Sequence, residues 1–520
     1  MTVTIGRILD LAVMKFPAKE AVYDVRKNRR YTYSEWNLRI NRVAHTLAAE
    51  GVSKGDRVSV FLYNTEELAA VFFACAKIGA VFNPINFRLQ AEEAAYILRD
   101  ASPKVLVFEK ALEPVVSALE GQFPAAAFWY IDEEPPSFAA SFDEKVSEAS
   151  DSPVFADVSE DDDYAIMYTS GTTGRPKGVI HTHRHIAEQS LTVIAATKLE
   201  PSDKGLVTAP MFHCAELHCA FLPRIHVGAG NVILHQFNPK MVLQLIEEEG
   251  ITKFFAAPTM WNMILQEDLM AYCLDSLKLG LYGAAPMAPA LVKLCREKLG
   301  ILLVQAYGMT EMGPAITFLS EHDQLSKAGS AGQACLNHEI RIVRPNENGP
   351  SDPEDILPAG EAGEIIVKGP SMMKGYYNME ETTEKALYKG WYHSGDIGAL
   401  DEDGYLWVRD RGVDDMIISG GENIYPREIE DVLFEHSGVL DAAVIGQPDD
   451  RWGETVTAFV VKKDPSVSEE ELDSWCKESS RLANYKRPRK YIFSESLPRN
   501  ASGKLQKFVL RSELSQSAKS

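Results

Sequence analysis

The chain holds 520 residues, 45% of them hydrophobic and 24% charged, and its 74 Asp and Glu against 53 Lys and Arg leave a net charge of −21. That length exceeds what one hydrophobic core serves, so at least two domains are expected. So acidic a surface repels polyanions and excludes nucleic acid as a partner, whereas a small anion can still bind where local cations or backbone amides line a cleft.

In chain order, the opening MTVTIGRILDLAVMKFP is interrupted by Arg7, Asp10 and Lys15. It lacks the uninterrupted apolar core of a signal peptide and reads as an amphipathic helix. From Gly55 the runs DRVSVFLYN, EELAAVFFACAKIGA, VFNPIN, AEEAAYILRDASP and KVLVFE alternate β-α-β-α-β, which implies a parallel sheet with crossover helices. The apolar run at 70–82 is too short to span a bilayer and contains Lys77, so no transmembrane segment is expected. A second α/β passage runs from KFFAAP (253–258) through LKLGLYGAAP and ALVKLCREKLG to ILLVQAYG. Ligands of such sheets sit beyond the carboxyl ends of the strands, where YGAAP and QAYGMTE fall.

From about 329 to 408, short alternating strands broken by Gly, Pro and Asp predict a small β-rich subdomain without a crossover helix. Beyond it, Pro426 opens a helix in PREIEDVLFEHSG, and strands AAVIG and VTAFVVKK and a helix SEEELDSWCKESS follow. The fold class is therefore α/β: a large N-terminal domain of two related α/β layers plus the β-rich subdomain, then a small mobile C-terminal α+β domain. The expected boundaries are 1–412 and 413–520. Seven cysteines, odd in number and scattered in apolar runs, read as reduced core residues and a cytoplasmic location.

The stretch YTSGTTGRPKGV, 168–179, crowds five hydroxyl side chains, three glycines and a lysine together. A Walker loop fails here, since Pro176 stands where its second glycine would be and Gly178 follows Lys177. The ingredients of a phosphate clamp remain: glycines for close backbone approach, hydroxyls for phosphate oxygens, and one cation.

This loop resembles the signature of the adenylate-forming superfamily, which includes acyl- and aryl-CoA synthetases. QAYGMTE (305–311), GEIIVKGPSMMKGYY (363–377), GWYHSGD (390–396), MIISGGENIYPREIE (416–430) and NASGK (500–504) resemble the superfamily's later motifs, in order. The C-terminal part is similar to bacterial fatty-acyl and chlorobenzoate CoA ligases. The resemblance implies an ATP-dependent carboxylic acid–coenzyme A ligase working through acyl-AMP, most of all on medium- or long-chain fatty acids. Its substrates would be ATP with Mg²⁺, a carboxylic acid and coenzyme A. An aryl-CoA ligase and a non-catalytic nucleotide-binding protein on the same fold are the alternatives, and assembly as a homodimer is left open.

Residue by residue, the resemblance gives the phosphates to Thr169, Ser170, Gly171, Thr172, Thr173, Gly174 and Lys177. Tyr307 takes the adenine face, with Gly283, Ala284, Ala285, Gly308 and Met309 around the nucleotide. Thr310 takes the α-phosphate, Glu311 the Mg²⁺ and Asp396 the ribose diol. Counting forward from Asp396 selects Arg411 as a ribose or phosphate contact, with Gly412 inserted; counting back from Met416 selects Gly412, which could do neither job. Lys504 matches the lysine that reaches the acid and the α-phosphate, His213 the gate of the carboxylate pocket, and Asp414 the hinge about which the C-terminal domain rotates between half-reactions. Arg88, Gly420, Gly421, Trp452 and Arg487 match coenzyme A contacts. His213, Cys214, His218 and Cys219 together tempt a metal reading, but their spacing does not fit a zinc site.

Overall fold

The computed structural model describes residues 3–123, 126–169, 176–284, 287, 289–346, 349–410, 417–424, 426–498, 507, 509–511 and 514. The chain divides into two compact units, one comprising 1–87, 97–169 and 178–410, the other 88–96, 170–177 and 411–520.

The first unit is built on two large sheets. In the eight-stranded sheet, Val81–Pro84, Arg57–Phe61 and Val105–Phe108 are parallel neighbours, as the β-α-β-α-β reading expects. The helix between the first two of these, Glu66–Ile78, is capped by Thr65 and ended by Gly79 at φ 74. All its residues but Lys77 are buried, so the run is apolar because it is enclosed. Lys77 survives there because its ammonium donates to Asp10, Asn37 and Asn41, which meets the cost of burying a charge.

In the nine-stranded sheet, Lys253–Phe255, Leu279–Gly283 and Leu302–Gly308 run parallel. One feature the sequence did not announce is that the hairpin Glu20–Asp24 and Arg29–Thr32 joins this sheet through Gly230–Ile233. A third sheet of four antiparallel strands lies at Glu339–Val343, Gly363–Lys368, Tyr392–Leu400 and Leu406–Asp410. A helix, Glu380–Ala386, does lie within this stretch. The strands of this sheet that precede and follow it, Gly363–Lys368 and Tyr392–Leu400, are antiparallel neighbours, so it is no crossover. The pair Gly375–Tyr376 leaves this subdomain and adds to the edge of the eight-stranded sheet beside Lys177–Thr182.

In the second unit, Gly453–Lys462 pairs with Val439–Asp449 and, in parallel, with Lys490–Ser494. The helices Pro426–Phe434 and Glu469–Glu478 cover an aliphatic core centred on Ile429, Val444 and Leu472. All seven cysteines are free and all but Cys273 are buried. Among the described residues no helix is long and apolar enough to cross a membrane.

Candidate active site

The parallel pairing of Leu279–Gly283 with Leu302–Gly308 sets their carboxyl ends side by side, Gly283 opposite Ala306. A side chain at Gly283 would stand 2.6 Å from the Ala306 carbonyl, so the approach needs glycine. Ala284, exposed beside it, has φ 65, a left-handed backbone that costs a non-glycine residue roughly 1–2 kcal/mol.

Past Tyr307 the chain turns sharply. A Cβ on Gly308 would lie 1.9 Å from the Pro314 carbonyl oxygen, and Gly313 closes the short helix Thr310–Met312 at φ 87. The Tyr307 hydroxyl donates to Asp396 Oδ2 at 2.7 Å, which unites the two residues assigned to adenine and ribose from motifs 89 positions apart. Thr310 and Glu311 are both buried in the turn. Glu311 Oε1 accepts from the Tyr376 hydroxyl at 2.8 Å, and the Glu311 carbonyl accepts from the Met373 amide at 2.8 Å. Tyr392 is hydrogen-bonded to Tyr376; burial, and then the Glu311 charge, push its phenol well above the ordinary value.

His213 caps the first turn of the following helix, its Nδ1 accepting from the Ala215 amide at 3.1 Å. Cys214 Sγ lies 3.4 Å from Thr310 Oγ1, which ties this segment to the turn, and burial pushes its thiol up to about 12. His218 Nε2 instead meets the Tyr164 hydroxyl at 3.3 Å, and Cys219 Sγ meets Gln189 Nε2 at 3.8 Å. Among the described residues no group of three His, Cys, Asp or Glu is placed to hold a metal ion. A single hard carboxylate such as Glu311 suits Mg²⁺, which arrives largely coordinated by phosphate and water.

Thr169 ends one strand and Lys177 begins its sheet neighbour. Ser170, Gly171, Thr172, Thr173, Gly174, Ala285, Arg411, Asp414 and Lys504 lie outside the described residues.

In the second unit, Gly420 and Gly421, at φ 60 and 84, form the two-residue turn of a hairpin joining Ile417–Ser419 to Glu422–Ile424. Two successive positive φ values are what such a turn requires, so the glycines have a local reason of their own. The Gly420 amide donates to the Trp452 carbonyl at 2.8 Å, and a Cβ there would come within 3.2 Å of the Trp452 ring. Trp452 is 42% exposed, with the Arg451 guanidinium 4.8 Å from its ring. Arg88 pairs with Glu422, next to these glycines. Arg487 is not gathered there but pairs with Asp473. Its neighbour Lys486, which carried no role in the sequence reading, is buried between Glu93 and Glu428 at 2.7 and 2.6 Å.

Sequence reasoning also passed over Tyr376, Tyr392 and His181. Both tyrosines stood inside matched motifs, GYY and GWY, and a hydroxyl within a motif was the available signal.

The fold is α/β, and Gly283, Tyr307, Thr310 and Glu311 lie at or just past the carboxyl ends of two parallel strands, the place where sheets of this kind take ligands. Residues 9–377 match the AMP-binding enzyme model and 428–504 the AMP-binding enzyme C-terminal domain, and the chain belongs to this family. It is 38% identical to the long-chain-fatty-acid–CoA ligase FadD13 of Mycobacterium tuberculosis over 98% of each chain. It is 40% identical to the feruloyl-CoA synthase of an Amycolatopsis species, over 92% of this chain and 93% of that one. The solved o-succinylbenzoate CoA synthetase of Bacillus subtilis, a double mutant with a product analogue, superposes with a TM-score of 0.86 at 33% identity over 98% of this chain and 99% of that one. The protein is thus an acid–thiol ligase, and enzymes of this kind use ATP, Mg²⁺ and coenzyme A.

Proposed function

We propose that the acid is a medium- or long-chain fatty acid, activated as acyl-AMP and then passed to coenzyme A. The observation that carries this is an apolar cluster in which the small side chains of Ala209, Cys219, Ala220, Ala315 and Cys335 stand among valine, leucine and phenylalanine, with Ala215 and Ala306 only partly buried against it. Ala215 follows Cys214 and Ala306 precedes Tyr307, so the cluster begins where the proposed site ends. Small side chains leave room for an alkyl chain, and apolar contact rewards each methylene by about 0.8 kcal/mol.

In the first half-reaction a carboxylate oxygen attacks the α-phosphorus of ATP; the new O–P bond forms as the bond to pyrophosphate breaks. The Tyr307 ring covers the adenine, and Asp396 accepts from the ribose hydroxyls, oriented by the bond it already receives from Tyr307. Thr310 donates to the α-phosphate, and Lys504 offsets the charge gathering on the pentavalent phosphorus. Residues 169–174 and Lys177 grip the phosphates that leave. Glu311 would hold Mg²⁺, which when bound neutralises phosphate charge. His213 flanks the entering carboxylate. In the second half-reaction the coenzyme A thiolate attacks the acyl carbonyl and AMP departs, with Trp452 stacking on the coenzyme's adenine, Arg88 and Arg487 meeting its phosphates, and Gly420 and Gly421 leaving the thiol's path open.

One observation favours an aryl acid instead. Among the described residues Gln189 Oε1 is buried without a hydrogen-bond partner while the same amide's nitrogen meets Cys219 of the apolar cluster, and a ring hydroxyl would satisfy it. A panel of acids from C2 to C18, with benzoates and hydroxycinnamates, assayed with ATP and coenzyme A, separates the two. The alkyl reading expects kcat/KM to rise with chain length through the medium chains. A hydroxycinnamate turned over faster than every fatty acid would overturn it.

A further inference from the structure

The Thr310–Glu311 turn is held from behind by a residue that no nucleotide role requires. His181 lies on the strand Lys177–Thr182, fully buried, and its Nε2 is 2.6 Å from the Thr310 carbonyl oxygen. A carbonyl only accepts, so Nε2 carries the proton and Nδ1 the lone pair, and Nδ1 is buried without a partner among the described residues. The imidazole thus accepts an unsatisfied buried nitrogen to make this one bond, a cost that an aliphatic side chain would avoid. Burial, chiefly, holds its pKa down to about 3, so it stays neutral.

The bond falls where the turn is otherwise fixed by its own backbone. The Thr310 carbonyl also accepts from the Gly313 amide at 3.1 Å, and the Met309 amide donates to Pro314 at 3.0 Å. Neither bond anchors the turn to another element. The outside anchors are Ser371, donating to the Met312 carbonyl at 2.6 Å, the Met373 amide and Tyr376 hydroxyl on Glu311, and, on Thr310, Cys214 Sγ at the hydroxyl and His181 at the carbonyl. Of these, His181 bonds the backbone of the residue whose hydroxyl faces the α-phosphate in the proposed mechanism, which fixes the peptide and leaves the hydroxyl to its own contacts. It also comes from the strand that Lys177 begins, so one strand carries both a proposed pyrophosphate contact and the brace of the turn.

We propose that His181 is a positioning residue for adenylation: its Nε2–H, donated to the Thr310 carbonyl, fixes the turn so that the Thr310 hydroxyl and the Glu311 carboxylate meet the triphosphate in register. This rests on the roles proposed above for Thr310 and Glu311. The precision matters because a displacement of about 1 Å at the reacting centre can cost on the order of 100-fold in rate.

The test measures acid-dependent exchange of labelled pyrophosphate into ATP, and separately the conversion of pre-made acyl-AMP to the thioester, in H181L, H181Q and H181N, with T310V and E311Q as references. Leucine fills the space without a donor. Glutamine places an amide N–H near the position of Nε2, and asparagine, one methylene shorter, does not reach it. In H181L and H181N, exchange should fall about 10- to 100-fold while thioester formation changes by less than about threefold; H181Q should recover most of the exchange. Exchange in H181L near wild type, or equal loss in both half-reactions, overturns the proposal. If H181L fails to fold, H181Q against H181N still decides, and equal exchange in those two overturns it. If T310V and E311Q themselves leave exchange intact, the roles given to Thr310 and Glu311 fail; if they abolish it and H181L does not, only the role of His181 fails.

Discussion

The two units hold their candidate residues in opposite ways. In the first, Tyr307, Thr310 and Glu311 belong to a strand end and a turn braced by Asp396, His181, Ser371 and Tyr376 at 2.6–2.8 Å. In the second, Trp452 stands 42% exposed on a hairpin corner, backed by a glycine amide and an arginine. Groups that must meet a transition state are set by bonds from several elements, whereas a ring that stacks on a co-substrate needs only a rigid backbone and an open face.

The largest effect that can break this comparison is acid lability. The braced unit buries neutral histidines: burial lowers His183, His185 and His226 to about 4. Their folded pKa values lie below the unfolded value near 6.5, so between about pH 6.5 and 4 the unfolded chain binds more protons. Stability is therefore whole above that window and lost as pH falls through it, by up to ~4 kcal/mol per pH unit for the three together. The second unit contains a single histidine, His436. Melting temperatures at pH 7.5, 6 and 5 should fall steeply with acidity, and a constant value would show that the buried histidines are not what ties the braced unit to neutral pH.

Next in size is Lys504→Ala. Acyl-AMP formation should drop by about 3–4 kcal/mol of transition-state stabilisation, measured as pyrophosphate exchange, while pre-made acyl-AMP still yields thioester. Equal losses in both half-reactions would remove the distinction between the two chemical tasks. Smallest is Trp452→Ala, where losing one stacked base costs about 1–3 kcal/mol. It should appear as a raised KM for coenzyme A with adenylation spared; an unchanged KM would leave Trp452 a packing residue of the Gly420 turn.

Most of the α/β architecture was legible because the runs 57–108 and 253–308 announce their strands and helices through apolar periodicity and glycine or proline junctions. The antiparallel subdomain was legible for the same reason, apart from the helix Glu380–Ala386, whose acidic, exposed face carries little apolar signal. The hairpin at 20–32 was not legible, because nothing local says which sheet a strand will join. Of the site, the motifs marked Tyr307, Thr310, Glu311 and Asp396, but not the partners that hold them. His181 in VIHTH reads like any strand residue until the fold sets Thr310 against it.

What the sequence determined by itself was the order of the chemistry-bearing segments, which residue type and spacing carry directly, and through the resemblance of those segments to the motifs of the adenylate-forming superfamily, the reaction class. Only the tertiary structure decided that Tyr307 bonds Asp396, that Arg487 turns to Asp473 and Arg88 to Glu422, and that the buried His181 meets the Thr310 carbonyl. Hydrogen bonds form over about 3 Å between residues up to hundreds of positions apart, and no local pattern in the chain records which distant donor will arrive.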